Sequence, residues 1–220
     1  MPDRTRVNTT PPEALVFDFD GVLADTEPLY WRAWCELLKP CNVEFTWEHY
    51  CRIGRGIRDE NMLDALAELV PDPAAMHRLM QQLPERKQMV RQWKLEQPPI
   101  SAATIELLKS LAPRKLGLVT SSDRDDIEPL LEKTGIAACF TACVFGDEVT
   151  THKPDPAPYL RIREKLGVNS GIAFEDSDAG AQSAATAGLD VVRVESPDRL
   201  PALVFKLLNG EPRRKQNESA

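Results

Sequence analysis

The residues best placed to do chemistry are two carboxylates spaced two apart at the end of an apolar run, Leu15-Val16-Phe17-Asp18-Phe19-Asp20-Gly21. In an extended segment alternate side chains share a face, so Asp18 and Asp20 are expected to project together while Phe19 turns back towards a core. Carboxylates brought that close either drive one pKa upward or share a divalent cation. An isolated Asp-x-Asp is also a common polar turn, so the reading depends on what the rest of the chain supplies.

Three further groups follow apolar runs in the same way. They are Thr120, Ser121 and Ser122 after Leu116–Val119, Lys153 in the loop after Phe145, and Glu175 with Asp176 after Gly171–Phe174. Hydroxyls, one lysine and several carboxylates make a phosphate site beside a metal site. Phosphoryl transfer needs donors around the phosphate oxygens, an in-line nucleophile and an acid for the leaving oxygen. Asp18 is the candidate nucleophile, dividing one hard step into two through an aspartyl-phosphate. Asp20 is the candidate acid for the leaving group and then base for water. Thr120 can donate its hydroxyl to the transferring group. Lys153, biased to an extended conformation by Pro154, could project its ammonium into the cleft. Asp176 is the better remaining metal ligand, because strict strand geometry would turn adjacent Glu175 to the opposite face. An all-oxygen site favours Mg²⁺.

These groups must be positioned by the elements before them. Ala14–Phe17 reads as a buried strand after a flexible leader, residues 1–12. Residues 28–97 contain no convincing strand. Leu29, Trp31, Trp34, Leu37 and Leu38, then Met62, Leu63, Leu66, Leu69 and Val70, recur at helical spacing. Asp72 is a candidate N-cap with Pro73 at a first helical position. A helical bundle closed by Pro98-Pro99 results. Beyond it, strands near 116–120, 142–145, 171–174 and 190–194 alternate with helices near 101–111, 124–134, 156–166, 178–187 and 199–208. Such alternation implies a mainly parallel sheet covered on both faces, with ligands beyond the carboxyl ends of its strands. The expected division is a core of residues 13–27 and 98–210, a helical insert at 28–97, and a disordered tail at 211–220.

Composition excludes several partners. The 220-residue chain has 34 acidic against 27 basic residues, a net charge of −7, and both nucleic acid and an anionic membrane want a basic face. Its five cysteines form no Cys-x-x-Cys pair, so free thiols in a reducing compartment are expected. The first residues carry no apolar targeting run and no segment approaches a membrane span, which points to the cytoplasm.

Taken together, Asp18-Phe19-Asp20-Gly21-Val22-Leu23, Leu118-Val119-Thr120-Ser121-Ser122, Lys153-Pro154-Asp155-Pro156 and Phe174-Glu175-Asp176-Ser177 with Gly180 resemble the motifs of the haloacid dehalogenase superfamily. The resemblance implies a Rossmann-like core with a mobile helical cap inserted after the first strand. It implies Asp18 as nucleophile and metal ligand, and Asp20 as acid/base with its backbone carbonyl on Mg²⁺. Thr120, Ser121 and Lys153 would hold the phosphate, and Asp176 with Glu175 the metal. The substrate class it implies is a small phosphorylated metabolite, a sugar phosphate or phosphoglycolate. The sequence does not fix the oligomeric state, with a monomer favoured. Arg55, Arg58 and Lys87 of the cap, and Arg124 after the second strand, are candidate specificity residues. Tyr30 stands where related mutases carry a histidine, and Asp123 where they carry a lysine. An acid there disfavours the second phosphate position that a mutase needs, so phosphatase is preferred over a β-phosphoglucomutase-like activity and over a non-catalytic binding protein.

Overall fold

The computed structural model describes residues 12–54 and 59–209, so the expectations for the leader, the tail, Arg55 and Arg58 lie outside the described residues. Five strands, β1 (Ala14–Phe17), β2 (Lys115–Val119), β3 (Ala142–Val144), β4 (Ile172–Glu175) and β5 (Asp190–Arg193), form one sheet of order β3-β2-β1-β4-β5. Every pairing is parallel. β1, which is buried along its whole length, lies in the middle. The chain order reverses beside it, at the crevice where ligands of open α/β sheets bind.

Side-chain alternation divides the core into two layers. Leu15, Phe17, Leu116, Leu118, Ile172 and Phe174 pack on one face. There they meet α6 (Ala102–Ser110), α7 (Arg124–Lys133) and α10 (Leu200–Leu208). Ala14, Val16, Val119, Val144 and Ala173 pack on the other, against α8 (Ala157–Leu166) and α9 (Asp178–Thr186). Phe17 and Phe174 stack across the two central strands with centroids 4.9 Å apart. These aromatic and branched side chains are what a strand buried on both faces requires. The observed strands at residues 115–119 and 172–175 sit one residue from the expected ones, so Glu175 is the last strand residue and Asp176 begins the turn.

Between β1 and α6 the described residues form five α-helices, α1 (Glu27–Leu38), α2 (Trp47–Ile53), α3 (Asp59–Leu66), α4 (Pro73–Gln81) and α5 (Leu83–Glu96). Trp34, Leu37, Leu38, Phe45, Tyr50, Met62, Leu66 and Leu79 bury one another in a third cluster, separate from the two on the sheet. The two crossings that connect this unit to the sheet are tied by Asp25 N–H donating to the Pro99 carbonyl at 2.8 Å. Asp72 caps α4, accepting from the N–H groups of Ala74 and Ala75 at 3.0 and 3.2 Å. Ser101 likewise caps α6 through Thr104 N–H.

Asp72→Ala should therefore lower stability by about 1 kcal/mol, the usual cost of losing an N-cap acceptor. Urea unfolding followed by circular dichroism checks this, and an unchanged midpoint would show that the cap contributes nothing.

Candidate active site

The sheet brings three loops together at the carboxyl end of β1. Asp18 N–H still donates to the Phe174 carbonyl at 3.0 Å, so the first residue past β1 remains anchored to β4. The Lys153 ammonium sits between the two loops, donating to Asp18 Oδ1 at 2.7 Å, Glu175 Oε1 at 2.6 Å and the Val119 carbonyl at 3.2 Å. An ammonium has three protons, and all three are engaged. The Lys153–Pro154 peptide bond is cis. Ligand atoms of Asp18, Glu175 and Asp176 all lie within 4.8 Å of one another. Strand alternation does not separate Glu175 from Asp176, because the strand ends between them. Gly21, at φ +77°, lets the chain turn there, and a Cβ on it would meet Asp176 Oδ2 at 2.2 Å. A Cβ on Gly180 would lie 2.1 Å from the Glu175 carboxylate, so that carboxylate rests directly on the first turn of α9.

Asp20 faces a different set of partners. Its Oδ1 accepts from Thr26 Oγ1 at 2.7 Å and from Tyr30 Oη at 3.2 Å, and its Oδ2 accepts from Ser122 Oγ at 3.0 Å. Lys94, buried on α5, stands 3.6 Å from Asp20 Oδ1 and donates to Tyr30 Oη at 2.8 Å. Because lysine cannot accept, Tyr30 must accept from Lys94 and give its own proton to Asp20. Nothing in the sequence singles out Lys94. It becomes a site residue only because α5 crosses α1 at Tyr30.

The remaining expected residues separate into two groups. Ser121 and Lys87 line a cleft of about 840 Å³ between the helical unit and the sheet, together with Asp20, Tyr30, Lys94 and Lys153. Thr120 is buried beside the site, where its Oγ1 accepts from Ser122 N–H at 3.1 Å and keeps its proton to donate. Arg124 is not brought to the cleft. Its guanidinium pairs with Glu128 at 2.9 Å and with Glu148, and it covers the Phe145 ring. Arg86, the neighbour of Lys87, is buried with its guanidinium over Trp34 and bonded to the Tyr30 carbonyl at 3.1 Å. On the same wall Tyr50 donates to Glu27 at 2.6 Å.

Electrostatics set the two acids apart. Burial pushes the Asp18 carboxyl well above its usual range; Lys153 opposes this, while Glu175 and Asp176 add to it. Burial also works against the Asp20 carboxylate, but Lys94, Thr26, Ser122 and Tyr30 outweigh it and hold that carboxyl below its usual value. For Lys153, burial disfavours the charge, and Asp18 and Glu175 restore it, so the ammonium stays protonated. Three clustered carboxylates with oxygen-only donors and one ammonium among them leave negative charge to be balanced. The residues present therefore fit a small hard divalent cation.

A sequence model of the haloacid dehalogenase-like hydrolases matches residues 15–194. A phosphorylated carbohydrates phosphatase of Thermotoga maritima is 33% identical over 180 residues, 81% of this chain and 82% of that protein. The fructose-1-phosphate phosphatase of Escherichia coli is 32% identical over 196 residues, 82% of this chain and 95% of that protein. Among solved structures, β-phosphoglucomutase from Clostridium difficile superposes with a TM-score of 0.65 at 22% identity, covering 90% of this chain and 97% of that one. That likeness speaks to the fold alone. With the matched region running from β1 to the end of β5 and enclosing every residue of the site, the chain belongs to the haloacid dehalogenase-like hydrolase family.

Proposed function

We propose that this chain is a Mg²⁺-dependent phosphatase that hydrolyses a small phosphomonoester metabolite, of the sugar-phosphate or phosphoglycolate kind, through an aspartyl-phosphate on Asp18. The observation that carries the reading is the Lys153 ammonium bridging Asp18 and Glu175 beside Asp176, at the floor of the cleft. A nucleophilic carboxylate, a cation for phosphate oxygens and a set of metal-ligating acids then meet within one site. The phosphatases from Thermotoga maritima and Escherichia coli support the substrate class.

Asp18, Asp176, Glu175 and the Asp20 backbone carbonyl would hold Mg²⁺. When bound, the ion would neutralise charge on the phosphate and on Asp18. An Asp18 oxygen attacks phosphorus, and the bond from phosphorus to the substrate oxygen breaks. Asp20 gives that oxygen its proton as it leaves. In the second step Asp20 takes a proton from water, the water oxygen attacks phosphorus, and the Asp18 carboxylate departs as inorganic phosphate forms. Thr120, Ser121 and Lys153 hold the phosphate oxygens, Lys153 by exchanging one of its present acceptors for a phosphate oxygen. Lys94 and Tyr30 keep Asp20 at the cleft wall and favour its carboxylate, the form the second step requires; for the first step Asp20 must take up a proton from solvent or from the monoprotonated phosphate ester as the substrate binds.

The helical unit serves as a cap that excludes water and selects the substrate. Lys87, Arg86 and the Tyr50–Glu27 pair line its inner wall. A mutase must also hold a second phosphate. The core side of the cleft presents Asp123, Asp126 and Asp147 instead, and Arg124 is occupied by Glu128 and Glu148; these observations favour hydrolysis. Among the described residues no helix is long and apolar enough to cross a membrane, and the five cysteines are free.

Inorganic phosphate release from a panel of phosphomonoesters tests the proposal. Release should require Mg²⁺, stop on chelation, and vanish in Asp18→Asn. Activity in that variant would remove Asp18 from the nucleophile's role. Asp20→Ala should lower kcat for alkyl phosphates by about 10²–10⁴, the usual contribution of a positioned acid or base. Lys94→Met should lower kcat by a smaller factor. Equal rates for Lys94→Met and wild type would contradict the role given to Lys94.

A further inference from the structure

Tyr159 is the one fully buried tyrosine on the sheet, and the proton transfers above do not use it. It stands near the start of α8, in the layer of Val119, Val144 and Ala173, with no exposed surface. Its hydroxyl donates to Glu175 Oε1 at 2.6 Å, and its ring lies under the Lys153 ammonium, 5.3 Å from centroid to Nζ. Burial and the Glu175 charge both push the phenol well above its ordinary pKa. Its proton is the one that makes the hydrogen bond to Glu175.

Glu175 Oε1 thus receives two short, charge-assisted bonds, from Lys153 and Tyr159. Oε2 receives a single longer one, from Ser177 Oγ at 3.3 Å. A carboxylate oxygen offers about two acceptor sites, so Oε1 is filled and Oε2 keeps capacity. The carboxylate cannot move away, because Gly180 packs against it on the side of α9. From this geometry we infer that Tyr159 is a positioning residue for the cation: by holding Oε1, it fixes the Glu175 carboxylate so that Oε2 is presented to the ion shared with Asp18 and Asp176. The inference rests on the divalent-cation reading above. It adds a residue on α8, the helix before β4, and gives it a role in metal affinity rather than in proton transfer.

Partners that orient a ligating carboxylate are typically worth about 10–100-fold in metal affinity. Tyr159→Phe removes the hydroxyl and keeps the ring, so packing and the contact with Lys153 persist. The test is calorimetric titration of Mg²⁺ into the full-length chain, wild type and Tyr159→Phe, without substrate. Phosphate release is then measured as a function of Mg²⁺, with thermal midpoints in chelator as the check on folding. Mg²⁺ affinity should fall about 10–100-fold in the variant. At saturating Mg²⁺, kcat and KM should return to within about 2-fold of wild type, which a general structural defect would not allow. Unchanged Mg²⁺ affinity, or a kcat loss that Mg²⁺ does not rescue, would overturn the role of Tyr159 while leaving the phosphatase reading standing. A wild-type chain that takes up no Mg²⁺ would overturn the cation reading and this inference with it.

Discussion

The Lys153 ammonium, enclosed with Asp18 and Glu175 where water hardly reaches, is the contact on which the rest of the site depends. Its side chain is 7% exposed, that of Asp18 10% and that of Glu175 0%. Removing one member of such a buried set typically costs about 3–5 kcal/mol, because the others are left as uncompensated charges. The fold therefore supports the pair closely. β1 and β4 are neighbours in register, Phe17 stacks on Phe174, and Asp18 N–H is held by the Phe174 carbonyl. Two glycines leave room for the acids, Gly21 under Asp176 and Gly180 under Glu175. One side chain on either would displace a carboxylate.

A second polar contact joins the helical unit to this centre. Thr26, Tyr30 and Lys94 reach Asp20 from the helical side and Ser122 reaches it from the core. Arg91 and Asp126 pair at 2.6 Å at the mouth of the cleft. This last pair is partly exposed, where such a bridge contributes about 0–1 kcal/mol. The contacts at Asp20 are shielded and carry more weight. The residue proposed to manage the protons is thus the point where helical unit and sheet meet, so the state of the cleft and the state of that acid are physically linked.

Much of this was legible in the sequence because it follows from local rules. Strand ends could be read from apolar runs, and the carboxyl-end rule gathered Asp18, Lys153 and Asp176 from positions far apart in the chain. The cap at Asp72 followed from residue type alone. What escaped depends on how elements cross. Lys94 resembles any helical lysine until α5 is laid over Tyr30. Arg86 looks like a member of a solvated charge run, yet it is buried against Trp34. Tyr159 reads as ordinary core, and so it is, except for one hydroxyl. Arg124 was expected near the ligand, but Glu128 one turn along its own helix and Glu148 from the next loop hold it elsewhere. Glu175 was doubted on strand alternation, which ceases to apply once the strand stops beneath it.

The central claim is that Asp18 carries the phosphoryl group. It can be tested directly in the Asp20→Ala chain, using Mg²⁺ and an aryl phosphate whose leaving group needs no acid. The first step then proceeds, and the second, deprived of its base, stalls. Quenching, borohydride reduction of any acyl phosphate and peptide mapping should find homoserine at residue 18. Recovery of unmodified aspartate at residue 18, with phosphate released or another acid reduced, would contradict the account.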